Sequence, residues 1–141
     1  MKRRVLITAA VAAALSTGVS AIEAAPVAVI ESYEVHGLSA SVDRIHEAIK
    51  QAAQLRKWGI KSDEPGRVLL VYPTNNRSLH YQATIGVTYA NGSYKVEYVS
   101  SRGLNEKKQG CYGQEGVVCA HRNVNRWIAN LGKDLRRLLM D

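Results

Sequence analysis

The chain has 141 residues, enough for one domain with a modest core and too few for two. Its 19 Lys and Arg against 12 Asp and Glu give a net charge of +7, but Lys2, Arg3 and Arg4 stand together at the start. If those three leave with a targeting segment, 16 cations face 12 acids, and the resulting +4 is too mild to argue for a nucleic-acid partner.

Such a segment is legible. Met1-Lys2-Arg3-Arg4 forms a basic start, residues 5–19 are mostly apolar, and Val19-Ser20-Ala21 offers the small or apolar side chains that signal peptidase reads. We expect residues 1–21 to be a signal peptide, with Ala24 or Ala25 as alternative cleavage points. Residues 22–141 would then form a single exported domain, periplasmic or secreted. The apolar run spans 15 residues, short of the roughly 20 that a membrane span needs. No cysteine lies near the cleavage region, so lipid anchoring is not indicated.

The mature chain holds two cysteines, Cys111 and Cys119. Their seven-residue spacing matches neither a Cys-x-x-Cys redox pair nor a zinc set, so we expect a structural disulfide in an oxidising compartment.

In chain order, residues 27–35 are rich in β-branched side chains and read as a first strand, interrupted on its apolar face by Glu31. Ser39 or Ser41 then caps a helix. Ile45, Ala48, Ile49, Ala52 and Leu55 recur at helical spacing, and Gly59 is expected to stop it after Trp58. Residues 61–66 read as a turn.

Residues 67–72 form the second strand. Val68, Leu69, Leu70 and Val71 leave neither side polar, the pattern of a strand covered on both faces. After a loop at residues 73–77, strands three and four span roughly 78–90 and 93–101, joined by Asn91-Gly92. That dipeptide is the strongest short hairpin signal and predicts a type I′ turn with positive φ at both positions.

The pairing register follows from the turn. Tyr89 should face Tyr94, Val87 face Val96 and Ile85 face Tyr98, all on one side, with Thr88–Lys95 and Gly86–Glu97 on the other. A glycine-rich loop over residues 102–116 follows. The last helix starts near Arg122 or Asn123, with Val124, Trp127, Ile128, Leu131, Leu135 and Leu138 as its apolar stripe. Gly132 sits inside it at a cost of about 1 kcal/mol relative to alanine.

The expected fold is α+β. An antiparallel four-stranded sheet carries two helices on one face, in the order strand-helix-strand-strand-strand-helix.

Several residue groups resemble those of small, uncharacterised envelope proteins of Gram-negative bacteria, many of which carry a lipoprotein signal. They are Trp58-Gly59, Pro65-Gly66, His80 with Ala83, Ile85, Val87 and Tyr89, then Ser93-Tyr94, Val96, Tyr98 and Ser101. Leu104-Asn105, His121-Arg122-Asn123, Asn125-Arg126-Trp127-Ile128 and Asn130-Leu131 complete the set, so that it covers most of residues 39–139. The resemblance implies a fold and a compartment and no chemistry. This chain departs from the group in lacking a lipidation cysteine, in having Val124 where an aromatic is usual, and in an insertion around Cys111 to Cys119.

The catalytic motifs are few. His36, His46, His80 and His121 share no metal-ligand spacing, and neither a nucleophile elbow nor a phosphate-cradling glycine loop is present, so no metal or cofactor is expected. The enzymatic alternative is a small hydrolase or ligand-processing site in which His80 or His121 joins Ser100, Ser101 or Glu97. Tyr81, Tyr89, Tyr94 and Tyr98, with Tyr72, are expected to fill the core with their hydroxyls at the rim; a ligand-binding aromatic cleft is the other use.

The leading expectation is a non-catalytic binding or interaction module. Its surfaces would be the outer sheet face, with Leu69, Val71 and His80, and the basic back of the last helix, with Arg122, Arg126, Arg136 and Arg137. The partner would be an envelope protein, a small ligand or a second copy of the chain, with an anionic membrane surface as the alternative for the basic helix.

Overall fold

The computed structural model describes residues 26–108 and 110–140. The proposed signal segment, residues 1–21, lies outside the described residues. Seven strands and two α-helices follow in the order β1 (Val27–Val29), β2 (Tyr33–Val35), α1 (Val42–Leu55), β3 (Gly59–Glu64), β4 (Arg67–Tyr72), β5 (Gln82–Ala90), β6 (Ser93–Arg102), β7 (Cys119–His121) and α2 (Asn123–Leu139). A short 3₁₀ turn, Asn76–Leu79, precedes β5.

The fold is α+β and antiparallel, but its sheet has five strands, in the order β2-β6-β5-β4-β3, with a separate two-stranded ribbon of β1 and β7. The four-stranded expectation fails at two places, each for a physical reason. First, the stretch read as one strand breaks at Ile30–Ser32. The Glu31 N–H donates to Asn125 Oδ1 (2.9 Å) and Asn125 Nδ2 donates to the Val29 carbonyl (2.8 Å). One side chain from α2 thus takes both backbone groups at the break, and the halves pair with different strands, β1 with β7 and β2 with β6.

Second, residues 59–64 form an edge strand on β4 where a turn was expected, and only Pro65-Gly66 turns. Gly-Ile-Lys-Ser-Asp-Glu has no strand signature because an edge exposes its side chains, and its charges with the bulge between Ile60 and Ser62 suit an unpaired edge. Gly59 therefore opens a strand. The helix ends at Leu55, and the chain reverses through Lys57 at φ 62°. Leu55 is consequently 69% exposed, and Ala53 takes the core position expected of it.

The hairpin register holds at every predicted pair: Tyr89–Tyr94, Val87–Val96, Ile85–Tyr98, Thr88–Lys95 and Gly86–Glu97. A bulge at Val99 shifts the ladder beyond Ile85. The turn itself differs from type I′: Gly92 has φ +81° whereas Asn91 keeps a negative φ, the type II pattern. Asn91 is recruited elsewhere, since its Oδ1 accepts from Val42 N–H at the start of α1 (2.7 Å), while Gly92 exchanges backbone bonds with Leu38 and Ala40. The hairpin tip thereby anchors the entry to the first helix, where Ser41 Oγ accepts from Arg44 N–H as the cap.

Both helices cover the same face. Ile45, Ala48, Ile49 and Ala52 of α1 and Val124, Ile128, Leu131 and Leu135 of α2 are buried against Val68, Leu70, Ile85, Val87, Tyr94 and Val96. Tyr94 is fully enclosed and donates to the Gly132 carbonyl of α2 (2.8 Å), so its hydroxyl does not reach the rim. Tyr72 joins an aromatic row, 5.2 Å from Trp58 and 5.1 Å from Trp127 between ring centres.

Candidate functional site

Three regions carry the side chains that the sequence singles out: the outer sheet face, the polar clusters holding the histidines and Tyr98, and the back of α2.

On the outer face the register sets three cross-strand rows. Glu64, Arg67, Thr88, Lys95 and Glu34 form a charged row; Ser62, Leu69, Gly86 and Glu97 form the next; Gly59, Val71, Thr84 and Ser100 form the third. Leu69 and Val71 are half-buried, so the outer side of β4 is only partly covered, in contrast to the two-sided burial its composition suggests. Gly86 explains part of the cover. A Cβ there would lie 3.1 Å from Arg67 Nη2 and 3.4 Å from Leu69 Cδ2, so both side chains lean over a floor that lacks one. The result is a narrow aliphatic band bordered by charges of both signs.

His80 does not stand on the outer face of the third strand. The chain is still in the 3₁₀ turn there, and His80 caps its end, exposed. Gly103 crosses beside it at φ +71°, with room for no side chain: a Cβ would sit 2.1 Å from the His80 carbonyl. His121 Nδ1 accepts from Asn123 N–H (3.2 Å), closing the start of α2, where Arg122 makes no side-chain cap. Among the described residues neither histidine is hydrogen-bonded through its ring to Ser100, Ser101 or Glu97, so the structure does not bring these groups together.

Ser101 belongs to a different cluster. Tyr98 Oη donates to Glu106 and shares a 2.7 Å bond with Ser101 Oγ, while Ser101 N–H donates to Glu106 Oε1 (3.0 Å). Burial, with the Glu106 contact next, pushes the Tyr98 phenol well above its ordinary value, so it stays protonated as a donor. The group ties the end of β6 to the loop that follows.

The histidine that does meet an acid is His46, whose Nε2 lies 2.8 and 3.0 Å from the two Asp63 carboxylate oxygens, with its ring stacked on Tyr89. The pair lines a cleft of about 430 Å³ with Asp43, Glu64 and Pro65. Sequence spacing gives no hint of it, because Asp63 falls in the unrecognised strand β3. No serine, threonine or cysteine lines this cleft, and the hydroxyl on its lining is the phenol of Tyr89, whose ring is stacked face to face on His46. The evident work of the His46–Asp63 pair is to fasten α1 to the edge strand. Among the described residues no group of three or more His, Cys, Asp or Glu is arranged to hold a metal ion.

The back of α2 is the most segregated surface. Arg122, Arg126, Lys133, Arg136 and Arg137 are all exposed, and at about 100° per residue they fall within one stripe opposite the buried Val124, Ile128, Leu131 and Leu135. The only acid within the helix, Asp134, is 4% exposed and lies on the flank. It accepts from Arg56 Nε (2.6 Å) and Nη2 (3.2 Å) of the segment after α1 and from Arg137 Nη1 (3.2 Å). The hydrogen bond and charge of Asp134 raise the Arg56 guanidinium above its already high value. Arg122, Arg126, Lys133 and Arg136 form no ion pair among the described residues.

Cys111 and Cys119 form the expected disulfide, with Cα atoms 6.0 Å apart. Lys107 bridges to Cys119 across the same loop, and β7 leads directly into α2. No protein-family model matches the chain, and no curated protein matches it in sequence. Its function therefore has to be read from these surfaces.

Proposed function

We propose that the protein is a non-catalytic, exported binding module that engages an anionic partner through the exposed back of α2. One observation carries the reading: five cations share one stripe while the helix's single acid is buried and paired on its flank. A basic last turn by itself answers the helix dipole, and Arg136 and Arg137 serve that end. Arg122 stands at the N-cap and Arg126 is the fourth residue of the helix, near the end where cations oppose the dipole, so dipole compensation does not account for them. Export is supported by the basic, apolar and small-residue order of residues 1–21 and by a disulfide suited to an oxidising compartment.

The test is retention on immobilised polyphosphate at low salt. Wild type should be held and released by salt, and the Arg122→Gln, Arg126→Gln, Lys133→Gln triple variant should pass through. Equal retention of both would refute the reading.

A second reading rests on the half-covered Leu69 and Val71, with a second copy of the chain as partner. Sedimentation velocity of wild type against Leu69→Ala, Val71→Ala decides it. A wild type that stays monomeric at high concentration removes its basis.

A further inference from the structure

We infer that the anionic partner of α2 is a phosphate-bearing lipid surface, on which the helix lies flat. This rests on the reading above and adds the identity of the partner. From Arg122 to Arg137 the row runs about 22 Å along the axis at 1.5 Å per residue, on the exposed side of the helix. A plane of headgroups meets such a row along its whole length. A soluble polyanionic strand is held instead in a groove lined by aromatic rings. On α2 the aromatic Trp127 turns toward Tyr72 and Tyr81, away from the stripe.

The cations are mostly arginine, whose planar fork matches phosphate oxygens two at a time. The decisive residue is Met140. It closes the helix 63% exposed, and eighteen positions after Arg122 it returns to the same angular position, flanked by Arg136 and Arg137. An exposed thioether among guanidinium groups gains nothing from a soluble polyanion. Against a bilayer it sits at the headgroup–acyl boundary while its neighbours hold the phosphates. No helix among the described residues is long and apolar enough to cross a membrane.

Vesicle co-sedimentation tests this with the exported form, residues 22–141, for wild type and variants alike, so that the basic and apolar residues 1–21 do not themselves bind the vesicles. Wild type should bind vesicles of phosphatidylcholine with about one-third phosphatidylglycerol and lose at least tenfold in affinity between low and high salt. The Arg122→Gln, Arg126→Gln, Lys133→Gln variant should bind about 100-fold more weakly. Met140→Gln should weaken vesicle binding about fivefold and leave polyphosphate retention unchanged.

Equal binding to pure phosphatidylcholine vesicles, a vesicle affinity indifferent to the triple substitution, or one indifferent to Met140→Gln would overturn the inference. Wild type held by polyphosphate but not by anionic vesicles overturns the lipid assignment and leaves the broader reading standing; binding to neither overturns both. If the triple variant loses its circular dichroism spectrum, the salt titration and the Met140 variant decide.

Discussion

Replacing Gly132 with alanine should destabilise this protein, against the usual rule for a glycine inside a helix. In isolation the substitution favours the helix by about 1 kcal/mol. Here the added methyl carbon would lie 2.3 Å from Tyr33 Cδ1, 2.5 Å from Cγ and 2.8 Å from Cε1, against the roughly 3.5–4.0 Å of ordinary carbon contact. The tyrosine backbone is held by pairing with Val96, so its ring has to swing off the helix or α2 has to lift. Lifting α2 also strains the buried bond from Tyr94 Oη to the Gly132 carbonyl. Overpacking of this kind costs about 1–3 kcal/mol and more when a buried bond is lost, which outweighs the propensity gain. We expect a net loss of about 1–2 kcal/mol, or a Tm lower by about 5–10 °C for a domain of this size.

A double-mutant cycle read by thermal and urea unfolding isolates the cause. In a Tyr33→Ala background the same Gly132→Ala change should become stabilising by about 1 kcal/mol, giving a coupling of at least ~2 kcal/mol. A higher Tm for Gly132→Ala in the otherwise wild-type protein, or additivity of the two changes, would show that the ring does not set the requirement for glycine.

Further predictions follow from the polar ties. The Tyr98 phenol is raised in the folded state, so the stability it contributes is fully present below the unfolded phenol value of about 10 and is lost as pH rises through the folded value. The urea midpoint of Tyr98→Phe should therefore lie below wild type at pH 8 and approach it above pH 10; a pH-independent gap contradicts this. Asn125→Ala leaves the Glu31 N–H and Val29 carbonyl to water and should cost about 1–2 kcal/mol, with amide exchange accelerated in β1 and β7 ahead of the five-stranded sheet. Uniform acceleration everywhere would argue against a local clamp. Replacing Cys111 and Cys119 by serine should cost about 2–3 kcal/mol on the chain-entropy model of so short a loop, with denaturant midpoints as the measure.

The sequence by itself determined what depends on neighbours along the chain. Side-chain alternation about Asn91-Gly92 set every pair from Ala90–Ser93 to Ile85–Tyr98, because a two-residue loop leaves one register and one buried face. Helical spacing likewise located the stripes of α1 and α2, and the same spacing exposed the basic back. Tertiary structure alone decided where distant groups meet. Asn125 splits a stretch that looks like one strand, His46 finds Asp63 on a strand whose polar composition hides it, and Tyr33 requires the glycine that helix propensity disfavours. In each case the controlling contact joins residues far apart in the chain, and backbone propensity carries no record of a partner brought near only by folding.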